Sequence, residues 1–424
     1  MTPAQIRQAA DRFGTPLYLF DLDCIRARVR QFREGLDGIA LTYSMKTNPF
    51  LTAEMADLTD RIEVCSMGEF RICRDLRIPP EKLFISGVLK LREDLEEIVA
   101  YGTDRARYTA ESPQQARDLS DLAAAHGLRL RVYPRLTNGS QFGMDEDTIV
   151  DMIRDAGAYP GITFAGIHFF SGTQKKKLAK HARELTALDT FFARLREETG
   201  WEVPELEYGT GFAFSYFEDQ KQKDTDLSSP ENLAAFRDLL QAMRWHGAVT
   251  IEMGRAFAAP CGCYVTTARD TKVNNGKNIC LVDGGIHQLQ YDGQIKGMYR
   301  PQMLVIPAEE GMAAGLPAEG ESGGEGAPAV EGPGRSDSAD AVEAGTTMIC
   351  GSLCTMNDVL CSAYPGTVRG GDRVVFMNTG AYSFYEGMSL FLSHELPGVV
   401  LFSEERGFMP AREQMQTYRL NMPQ

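Results

Sequence analysis

The sequence has little that would place it in a membrane, outside the cell or on a nucleic acid. Its 424 residues contain no apolar run approaching the ~20 residues of a membrane-spanning helix. The start, Met1-Thr-Pro, lacks the basic region, apolar stretch and cleavage site of a secretory signal, so we expect a cytoplasmic protein. Positive charge is scarce, with 44 Lys and Arg against 58 Asp and Glu. The net charge of −14 disfavours nucleic acid, whose binding requires neutralised phosphates.

The cysteines also lack the spacing of a disulfide framework or of a structural metal site. The nine cysteines are an odd number scattered through hydrophobic segments, which favours reduced thiols over a disulfide framework. Cys261-Gly-Cys263 has no second Cys or His pair nearby, and a closed structural metal site needs about four ligands. We therefore predict no metal site. The composition, 43% hydrophobic and 24% charged, is that of a globular protein with one large and one smaller domain.

Short apolar or β-branched runs alternate with amphipathic stretches over the first 260 residues or so. The predicted strands are 41–45, 61–65, 83–86, 107–110, 128–133, 164–170, 205–208 and 249–253. The stretches 91–101, 113–126 and 230–246 have helical spacing of apolar residues, and Ser112 and Ser229 are candidate N-caps. Eight such units predict an α/β fold, a (β/α)8 TIM barrel.

After residue 258 the pattern changes to strands without long helices. The runs are 263–268, 278–283, 303–306, 374–377 and 399–402. We predict a C-terminal β-sandwich or β-barrel domain, 259–424, completed by the N-terminal segment 1–21, with the barrel at 22–258. Residues 308–345 are rich in Gly, Ala, Glu and Pro and have no aromatic residue, which predicts a disordered acidic insertion. A tolerated insertion is favoured over a partner-binding segment.

Lys46 follows the first predicted strand, in Tyr43-Ser-Met-Lys-Thr-Asn-Pro. In TIM barrels the chemistry lies at the carboxyl ends of the strands. A buried amine with a depressed pKa can attack a carbonyl and form a Schiff base. Most single lysines are solvated surface charges, so the prediction depends on the surrounding motifs.

Glycines follow the seventh and eighth predicted strands, in Gly209-Thr210-Gly211 and in Gly254-Arg255. Each pair alone indicates a simple turn. After the last two strands of a barrel, however, such loops form the usual phosphate site, because glycine lets backbone N–H groups approach the ligand closely. Thr173, in Gly172-Thr173, is a further candidate donor.

Two charged features allow two interpretations each. Glu252 lies in an apolar strand and needs a partner, which is either Arg255 or the protonated nitrogen of a pyridine-ring cofactor. The run Lys175-Lys176-Lys177 is typical of a solvated helix start, and contact with an acidic partner or substrate is the alternative.

Seven motifs, in this order, resemble those of the fold-type III pyridoxal phosphate (PLP) decarboxylases, which include diaminopimelate, ornithine and arginine decarboxylases. They are Tyr43-Ser-Met-Lys-Thr-Asn, Glu63-Val-Cys-Ser-Met-Gly-Glu69, Gly166-Ile-His-Phe-Phe-Ser-Gly-Thr-Gln174, Gly209-Thr-Gly-Phe212, Glu252-Met-Gly-Arg255, Cys354-Thr-Met-Asn-Asp358 and Gly380-Ala-Tyr382. The resemblance covers nearly the whole chain except 308–345.

This resemblance implies that Lys46 binds PLP covalently and that Glu252 faces the pyridinium. The other implied cofactor contacts are His168, Phe170, Thr173, Gly209, Thr210, Gly211, Gly254, Arg255 and Tyr382. It also implies a homodimer in which Cys354 and Asp358 enter the partner's active site, Cys354 donating the proton that replaces carbon dioxide. Without the resemblance, Cys354 would be interpreted as an inert buried thiol.

The sequence departs from the family pattern at several positions. Phe170 stands where many members have a histidine that stacks on the cofactor, and Met253 replaces a usual proline. Thr355 stands where diaminopimelate decarboxylases carry a glutamate for the distal ammonium-bearing carbon. Several motifs look closer to the branch containing the decarboxylase of glutamate tethered to an acyl carrier protein in aminoglycoside assembly. We therefore expect a modified or carrier-linked amino-acid substrate in secondary metabolism.

Other functions stay open at this point. Diaminopimelate decarboxylation is one alternative. A PLP-dependent racemase would be expected to place an arginine at the pyridine nitrogen, so Glu252 disfavours it, and a non-catalytic PLP carrier would need neither Cys354 nor a second domain. Arg300 is a candidate for binding a substrate carboxylate, with a structural ion pair as its alternative.

Overall fold

The computed structural model of the chain describes residues 1–218, 227–308 and 345–423. Its helices are α1 (Pro3–Phe13), α2 (Leu22–Gly35), α3 (Thr52–Leu58), α4 (Met67–Asp75), α5 (Arg92–Gly102), α6 (Pro113–Ala125), α7 (Glu146–Arg154), α8 (Leu178–Thr199), α9 (Pro230–Gln241) and α10 (Arg255–Ala258). Its strands are β1 (Leu17–Asp21), β2 (Ala40–Ser44), β3 (Arg61–Val64), β4 (Leu83–Ile85), β5 (Arg107–Ala110), β6 (Leu130–Leu136), β7 (Ile162–Phe164), β8 (Ile167–Phe170), β9 (Glu205–Gly209), β10 (Ala248–Met253), β11 (Gly262–Asn274), β12 (Lys277–Val282), β13 (Met303–Ile306), β14 (Thr346–Cys350), β15 (Val359–Pro365), β16 (Arg373–Met377), β17 (Gly398–Ser403) and β18 (Gly407–Arg412). Apart from its two end residues, the predicted acidic insertion at 308–345 lies outside the described residues.

Strands β2 to β10 form a closed parallel barrel. Their order is β5-β4-β3-β2-β10-β9-β8-β6-β7, and pairing of β5 with β6 closes the ring. Because β7 and β8 both pair with β6, they act as one interrupted strand, which confirms the predicted eight-stranded barrel. The prediction of one continuous strand at 164–170 was wrong. The chain breaks at Ala165-Gly166, where a Cβ on Gly166 would lie 2.4 Å from the carbonyl oxygen of Glu205.

The predicted helix starts follow local capping chemistry. The Ser112 hydroxyl accepts the backbone N–H of Gln115 at the start of α6, and Ser229 accepts that of Asn232 at the start of α9. Each helix has a proline in its first turn, where no backbone donor is needed. Both predicted N-caps are confirmed, and they fix where the chain enters the outer layer of the barrel.

A second, mixed sheet contains β1 and the strands after the barrel. Strand β1 pairs antiparallel with β11 and parallel with β17, so the N-terminal segment completes this sheet as predicted. The long strand β11 also pairs with β12 and β16 and so connects the two parts of the sheet. The predicted domain boundaries, 22–258 against 1–21 with 259–424, remain predictions.

The interior of the barrel is unusually polar near the amino-terminal ends of the strands. Arg61, the first residue of β3, and Glu205, the first residue of β9, form an ion pair across the barrel. Glu207 also accepts a hydrogen bond from Arg61, at 2.6 Å, and Thr42 donates to Glu207 at 2.5 Å. We call Thr42, Arg61, Glu205 and Glu207 the deep layer.

None of the helices in the described part of the chain combines the length and apolar character needed to cross a bilayer.

Candidate active site

A cavity of about 450 Å³ opens at the carboxyl ends of the barrel strands. Its lining consists of Ser44, Lys46, Phe170, Thr173, Gly211, Phe212, Glu252, Met253, Gly254, Arg255, Ala256 and Tyr382. Eight of these residues were predicted from the sequence as cofactor contacts. The fold therefore brings together side chains from the first, sixth, seventh and eighth barrel strands and from the second sheet.

Lys46 lies on a short 3-10 turn, Met45–Thr47, directly after β2. Its ammonium donates to Glu63 Oε2 at 2.5 Å and lies 3.9 Å from Glu252 Oε1. Burial by itself lowers the pKa of the Lys46 ammonium. Cys65 and the two carboxylates raise this pKa more strongly, and it lies well above its ordinary value. The side chain remains 39% exposed, so the amine can be reached from the cavity.

Glu63 is the residue that holds Lys46 in place, and the sequence analysis gave it no role. Its second oxygen, Oε1, accepts hydrogen bonds from Ser86 at 2.5 Å and from Cys65 at 3.0 Å. Burial raises the pKa of Glu63, but the Lys46 charge and these three donors lower it well below its ordinary value. The available sequence signal was a carboxylate between the apolar residues Ile62 and Val64 of strand β3.

Glu252 presents a carboxylate oxygen that no described group satisfies. Its Oε1 accepts from the Ser44 hydroxyl at 3.2 Å, whereas its buried Oε2 has no hydrogen-bond partner. His168 Nε2 lies 3.3 Å from Oε2 but does not have hydrogen-bond geometry. A buried anionic oxygen without a donor is costly, so this oxygen is suited to a protonated nitrogen supplied by a ligand.

Phe170 and His168 come from the same strand, β8. His168 is buried edge-on against Phe84, with ring centroids 5.4 Å apart, and neither of its ring nitrogens forms a hydrogen bond. Phe170 lines the cavity and packs on Gly209, where a Cβ would lie 2.5 Å from the Phe170 ring. Phe170 can therefore present an aromatic face to a planar ligand, and His168 lies beneath it.

The two glycine loops bring backbone close to the cavity. Gly211 has φ +57°, and a Cβ there would lie 1.9 Å from the carbonyl oxygen of Gly172. At Gly254 a Cβ would lie 1.7 Å from the Thr47 hydroxyl oxygen. Thr210 is the middle residue of the first loop, and its buried hydroxyl has no hydrogen-bond partner. Both loops require glycine for close packing, as expected where backbone N–H groups surround an anion.

Arg255 and Tyr382 form the cationic side of the cavity. The buried Arg255 guanidinium donates to the Tyr216 hydroxyl at 2.6 Å and lies 4.7 Å from the centroid of the Tyr382 ring. Its Nε has no hydrogen-bond partner. Tyr382 has φ +64° and is anchored by its backbone N–H, which donates to the Thr47 carbonyl oxygen at 2.8 Å. A phosphate here would meet one fixed positive charge and one phenol.

A buried ion pair supports the first glycine loop from behind. Lys175 is fully buried, its ammonium lies 2.8 Å from Glu184 Oε2, and its backbone N–H donates to the Gly211 carbonyl oxygen at 2.8 Å. Ser171 and Tyr208 also donate to Glu184, both at 2.5 Å. The predicted solvated helix start is therefore wrong for Lys175, because tertiary packing buries it, while Lys176 and Lys177 are exposed.

Six predicted residues lie outside the cavity lining: the expected cofactor contacts His168, Gly209 and Thr210, and also Cys354, Asp358 and Arg300. Cys354 is exposed and does not line the cavity of its own chain. Asp358 is buried, and its oxygens accept the backbone N–H groups of Ile286 and Leu353 at 2.8 and 2.7 Å. Its carboxylate therefore shapes its own loop, and its contact with substrate in a partner's active site stays a prediction. The Arg300 Nε lies 2.5 Å from Glu218 Oε2, the ion pair that was the alternative for this residue.

The arrangement fits PLP. An unpartnered carboxylate oxygen on Glu252, an amine on Lys46 and an aromatic face on Phe170 match the ring nitrogen, the aldehyde and the ring of this cofactor. The glycine loops with Arg255, Thr173 and Tyr382 match its phosphate. When bound, PLP supplies an electron-withdrawing ring that accepts the electron pair left at the substrate carbon by the departing carboxylate.

Comparisons with known proteins also indicate a PLP-dependent enzyme. Residues 22–259 match the family model described as pyridoxal-dependent decarboxylase, pyridoxal binding domain. The L-glutamyl-(BtrI acyl-carrier protein) decarboxylase of Niallia circulans is 27% identical, covering 94% of this chain and 91% of that protein. The diaminopimelate decarboxylase of Aquifex aeolicus is 24% identical, covering 72% and 73%.

Solved structures agree on the fold. The diaminopimelate decarboxylase of Helicobacter pylori complexed with L-lysine superposes with a TM-score of 0.77 at 18% identity, covering 98% of this chain and 99% of that one. The lysine/ornithine decarboxylase of Vibrio vulnificus complexed with putrescine gives a TM-score of 0.71 at 19% identity, covering 91% and 93%. The chain thus belongs to the pyridoxal-dependent decarboxylase family, as an enzyme that uses PLP to remove the carboxyl group of an amino acid.

Proposed function

We propose that this enzyme decarboxylates an amino-acid group linked to a carrier protein, in a biosynthetic pathway of secondary metabolism. A glutamyl group is the leading candidate. The proposal selects one substrate class within the activity of the family, and it depends on the loop that carries Cys354.

The observation that carries this proposal is the absence of a free carboxylate in the loop 351–358. Its one acidic residue is Asp358, and both oxygens of that side chain accept backbone N–H groups. The position after Cys354 is Thr355, whose hydroxyl accepts the N–H of Asn357. A substrate with a distal ammonium group needs an anionic partner, because a buried unpaired cation is costly. This loop offers none, which disfavours diaminopimelate and other substrates with a distal amine.

A relative supports the same substrate class. The carrier-protein decarboxylase of Niallia circulans is 27% identical over 94% of this chain, whereas the diaminopimelate decarboxylases of Aquifex aeolicus and Vibrio cholerae are 24% and 22% identical over 72% and 88%. The likeness to the carrier-protein decarboxylase thus extends beyond the PLP-binding barrel to the region that carries Cys354.

The side chains of the cavity have separable roles in this proposal. Lys46 would hold the cofactor covalently. Glu63 holds the Lys46 ammonium at 2.5 Å and is placed to take up or return its proton. Glu252 would keep the ring nitrogen protonated, while Arg255, Thr173, Tyr382 and the glycine loops would hold the phosphate. His168, Gly209 and Thr210 would support the cofactor-binding residues.

We further propose a homodimer with shared active sites. Cys354 is exposed and lies outside the cavity of its own chain, and the neighbouring Met356 is 91% exposed. A loop with this exposure can enter the cavity of a second copy, where the Cys354 thiol would return the proton to the substrate carbon.

We also propose that the enzyme is cytoplasmic and that its domain boundaries lie at residues 22 and 258.

Diaminopimelate decarboxylation is the second candidate function. It is favoured by relatives of that name, among them those of Zymomonas mobilis and Haemophilus influenzae, each 22% identical to this chain. A racemase would be expected to place an arginine at the pyridine nitrogen, and the unpartnered carboxylate oxygen of Glu252 disfavours it. A non-catalytic PLP carrier would not use the Cys354 loop.

The test measures carbon dioxide released from diaminopimelate, lysine, ornithine, arginine, glutamate and a glutamyl-loaded acyl carrier protein, with PLP absorbance recorded in parallel. We expect release from the carrier-bound glutamyl group alone and none from the Lys46→Ala variant. A Thr355→Glu variant provides a matched comparison, because it restores a carboxylate beside Cys354 and should raise turnover of diaminopimelate. Preferential turnover of diaminopimelate by the unaltered enzyme would refute the carrier-linked substrate.

A further inference from the structure

The first half of α8 and the residues just before it carry an unpaired positive surface. Lys176, Lys177 and Arg183 are exposed, Lys180 is partly exposed, and none of the four forms an ion pair with a described residue. The two carboxylates of this stretch are engaged: Glu184 pairs with Lys175, and Asp189 pairs with Arg244. We call Lys176, Lys177, Lys180 and Arg183 the basic surface. It stands out on a chain with a net charge of −14.

The second half of α8 shows the opposite arrangement. Arg194 pairs with Glu198 and with Asp147 of α7, both at 2.6 Å, and Arg196 pairs with Glu202 at 3.2 Å. In this half of α8 each arginine is therefore neutralised by a nearby carboxylate. Among the cations of α8 and of the residues just before it, those without an ion pair to a described residue all lie within 176–183.

Helix physics disfavours positive charges at these positions. The amino-terminal end of a helix carries a partial positive charge, so cations there are destabilising. Lys180 and Arg183 are three residues apart on α8, and like charges at such a spacing repel along a helix, while Lys176 and Lys177 directly precede its first residue, Leu178. Local stability does not explain the basic surface, which points to a role in binding.

The basic surface adjoins the mouth of the active-site cavity. Thr173, which lines the cavity, precedes Lys176 by three residues, and Lys175 between them is bonded to the loop of Gly211. Because α8 follows β8, its first turn lies at the carboxyl end of the barrel strands. A molecule bound on the basic surface would therefore lie beside the entrance.

We propose that the basic surface docks the acidic carrier protein that presents the amino-acid group to the cavity. This inference rests on the proposed function and names the surface that would recognise its partner. Four cations spread over the eight residues 176–183 exceed what one carboxylate or phosphate can contact. They suit a protein surface with several carboxylates, and such complementarity raises the rate of encounter.

The test compares two variants with the same change of charge. One is Lys176→Glu/Lys177→Glu/Arg183→Glu, and the control is Arg30→Glu/Arg77→Glu/Arg117→Glu, three exposed arginines elsewhere on the barrel. Each is assayed with a glutamyl-loaded acyl carrier protein and with the N-acetylcysteamine thioester of glutamate, which has the reacting group but no protein.

We expect KM for the carrier substrate to rise about tenfold in the first variant and to stay unchanged in the control. KM for the small thioester should be the same in all three proteins. Added salt should raise KM for the carrier in the unaltered enzyme and much less in the first variant.

The outcomes separate this inference from the proposed function. If the unaltered enzyme turns over the carrier substrate and the first variant has the same KM, the docking surface is refuted and the function stands. Equal losses with both substrates would assign the effect to the cavity and would also refute docking. If the unaltered enzyme acts on a free amino acid and on no carrier substrate, both proposals fail.

Discussion

The barrel contains two buried charged clusters, which differ in whether all their polar atoms have hydrogen-bond partners. In the deep layer, all four carboxylate oxygens of Glu205 and Glu207 accept hydrogen bonds, from Arg61, Thr42, Thr250 and Tyr133. At the carboxyl ends of the strands, Glu252 Oε2, Arg255 Nε and the Thr210 hydroxyl have no partner. Buried polar groups are normally satisfied, so the complete network indicates structure and the incomplete one indicates a ligand site.

This difference leads to opposite expectations for mutations. Changes in the deep layer should lower stability and leave PLP affinity nearly unaffected. Changes around the cavity should affect PLP affinity and turnover while the cofactor-free protein keeps its stability.

The largest effect is expected from Arg61→Met. It would leave Glu205 and Glu207 buried without their cation, and the free energy of unfolding should fall by about 3–5 kcal/mol. Urea unfolding of the cofactor-free protein measures it. Arg107→Met is the control, because Arg107 begins β5, two strands away in the same barrel, and donates only to the Glu81 carbonyl oxygen among the described residues. Equal losses in both variants would contradict a special role for the deep-layer ion pairs.

A second prediction concerns pH. Burial, with help from Glu252 and Glu205, raises the pKa of Glu207 from 4.5 to about 7. The folded state therefore holds this proton more tightly than the unfolded chain, and Glu207 makes the fold less stable as pH rises through this window. In Glu207→Gln the penalty is absent. The stability of the variant relative to the unaltered protein should rise by up to roughly 3 kcal/mol between about pH 4 and pH 8. A difference independent of pH would show that Glu207 is ionised throughout.

At the cavity, Glu252→Gln should lower kcat by about 10²-fold, because the amide is a poor partner for a protonated ring nitrogen. The stability of the cofactor-free protein should change by less than about 1 kcal/mol, since Oε2 has no partner to lose. Steady-state kinetics and urea unfolding measure the two quantities. A large loss of stability with little loss of activity would place Glu252 with the deep layer.

The smallest effect is expected behind the phosphate loop. Lys175→Met removes the cation of Glu184 and loosens the support of Gly211, so the Kd for PLP should rise about tenfold. Lys175→Arg should recover most of the affinity, and Lys176→Met, next to it on the surface, serves as the control. Fluorescence titration of the cofactor-free protein provides the Kd. Failure of the arginine variant to recover affinity would exclude a role for the buried charge.

The sequence predicted what depends on local pattern. Barrel strands, N-caps at Ser112 and Ser229, and a lysine with two glycine loops at strand ends all have spacing that can be read along the chain. Helix α1 was missed although its signals were present, since Thr2 and Gln5 form a capping box and Pro3 occupies the first turn.

Features that depend on contacts between distant segments were not predictable. Lys175 looked solvated because its partner Glu184 and the covering Tyr208 are brought to it only by the folded barrel. For Asp358 a motif does not reveal that backbone N–H groups occupy both carboxylate oxygens, and its role in substrate binding stays a prediction. Glu63 was overlooked because its role is defined by Lys46 on another strand.

The exposure of Cys354 allows this thiol to be labelled selectively. It is the one exposed thiol among nine free cysteines, and all nine lie in the described residues. A maleimide dye should therefore label the chain at a single position, with no engineered site. If two copies share their active sites, the labelling rate should fall as protein concentration rises and recover on dilution, so this side chain is a built-in reporter of subunit exchange.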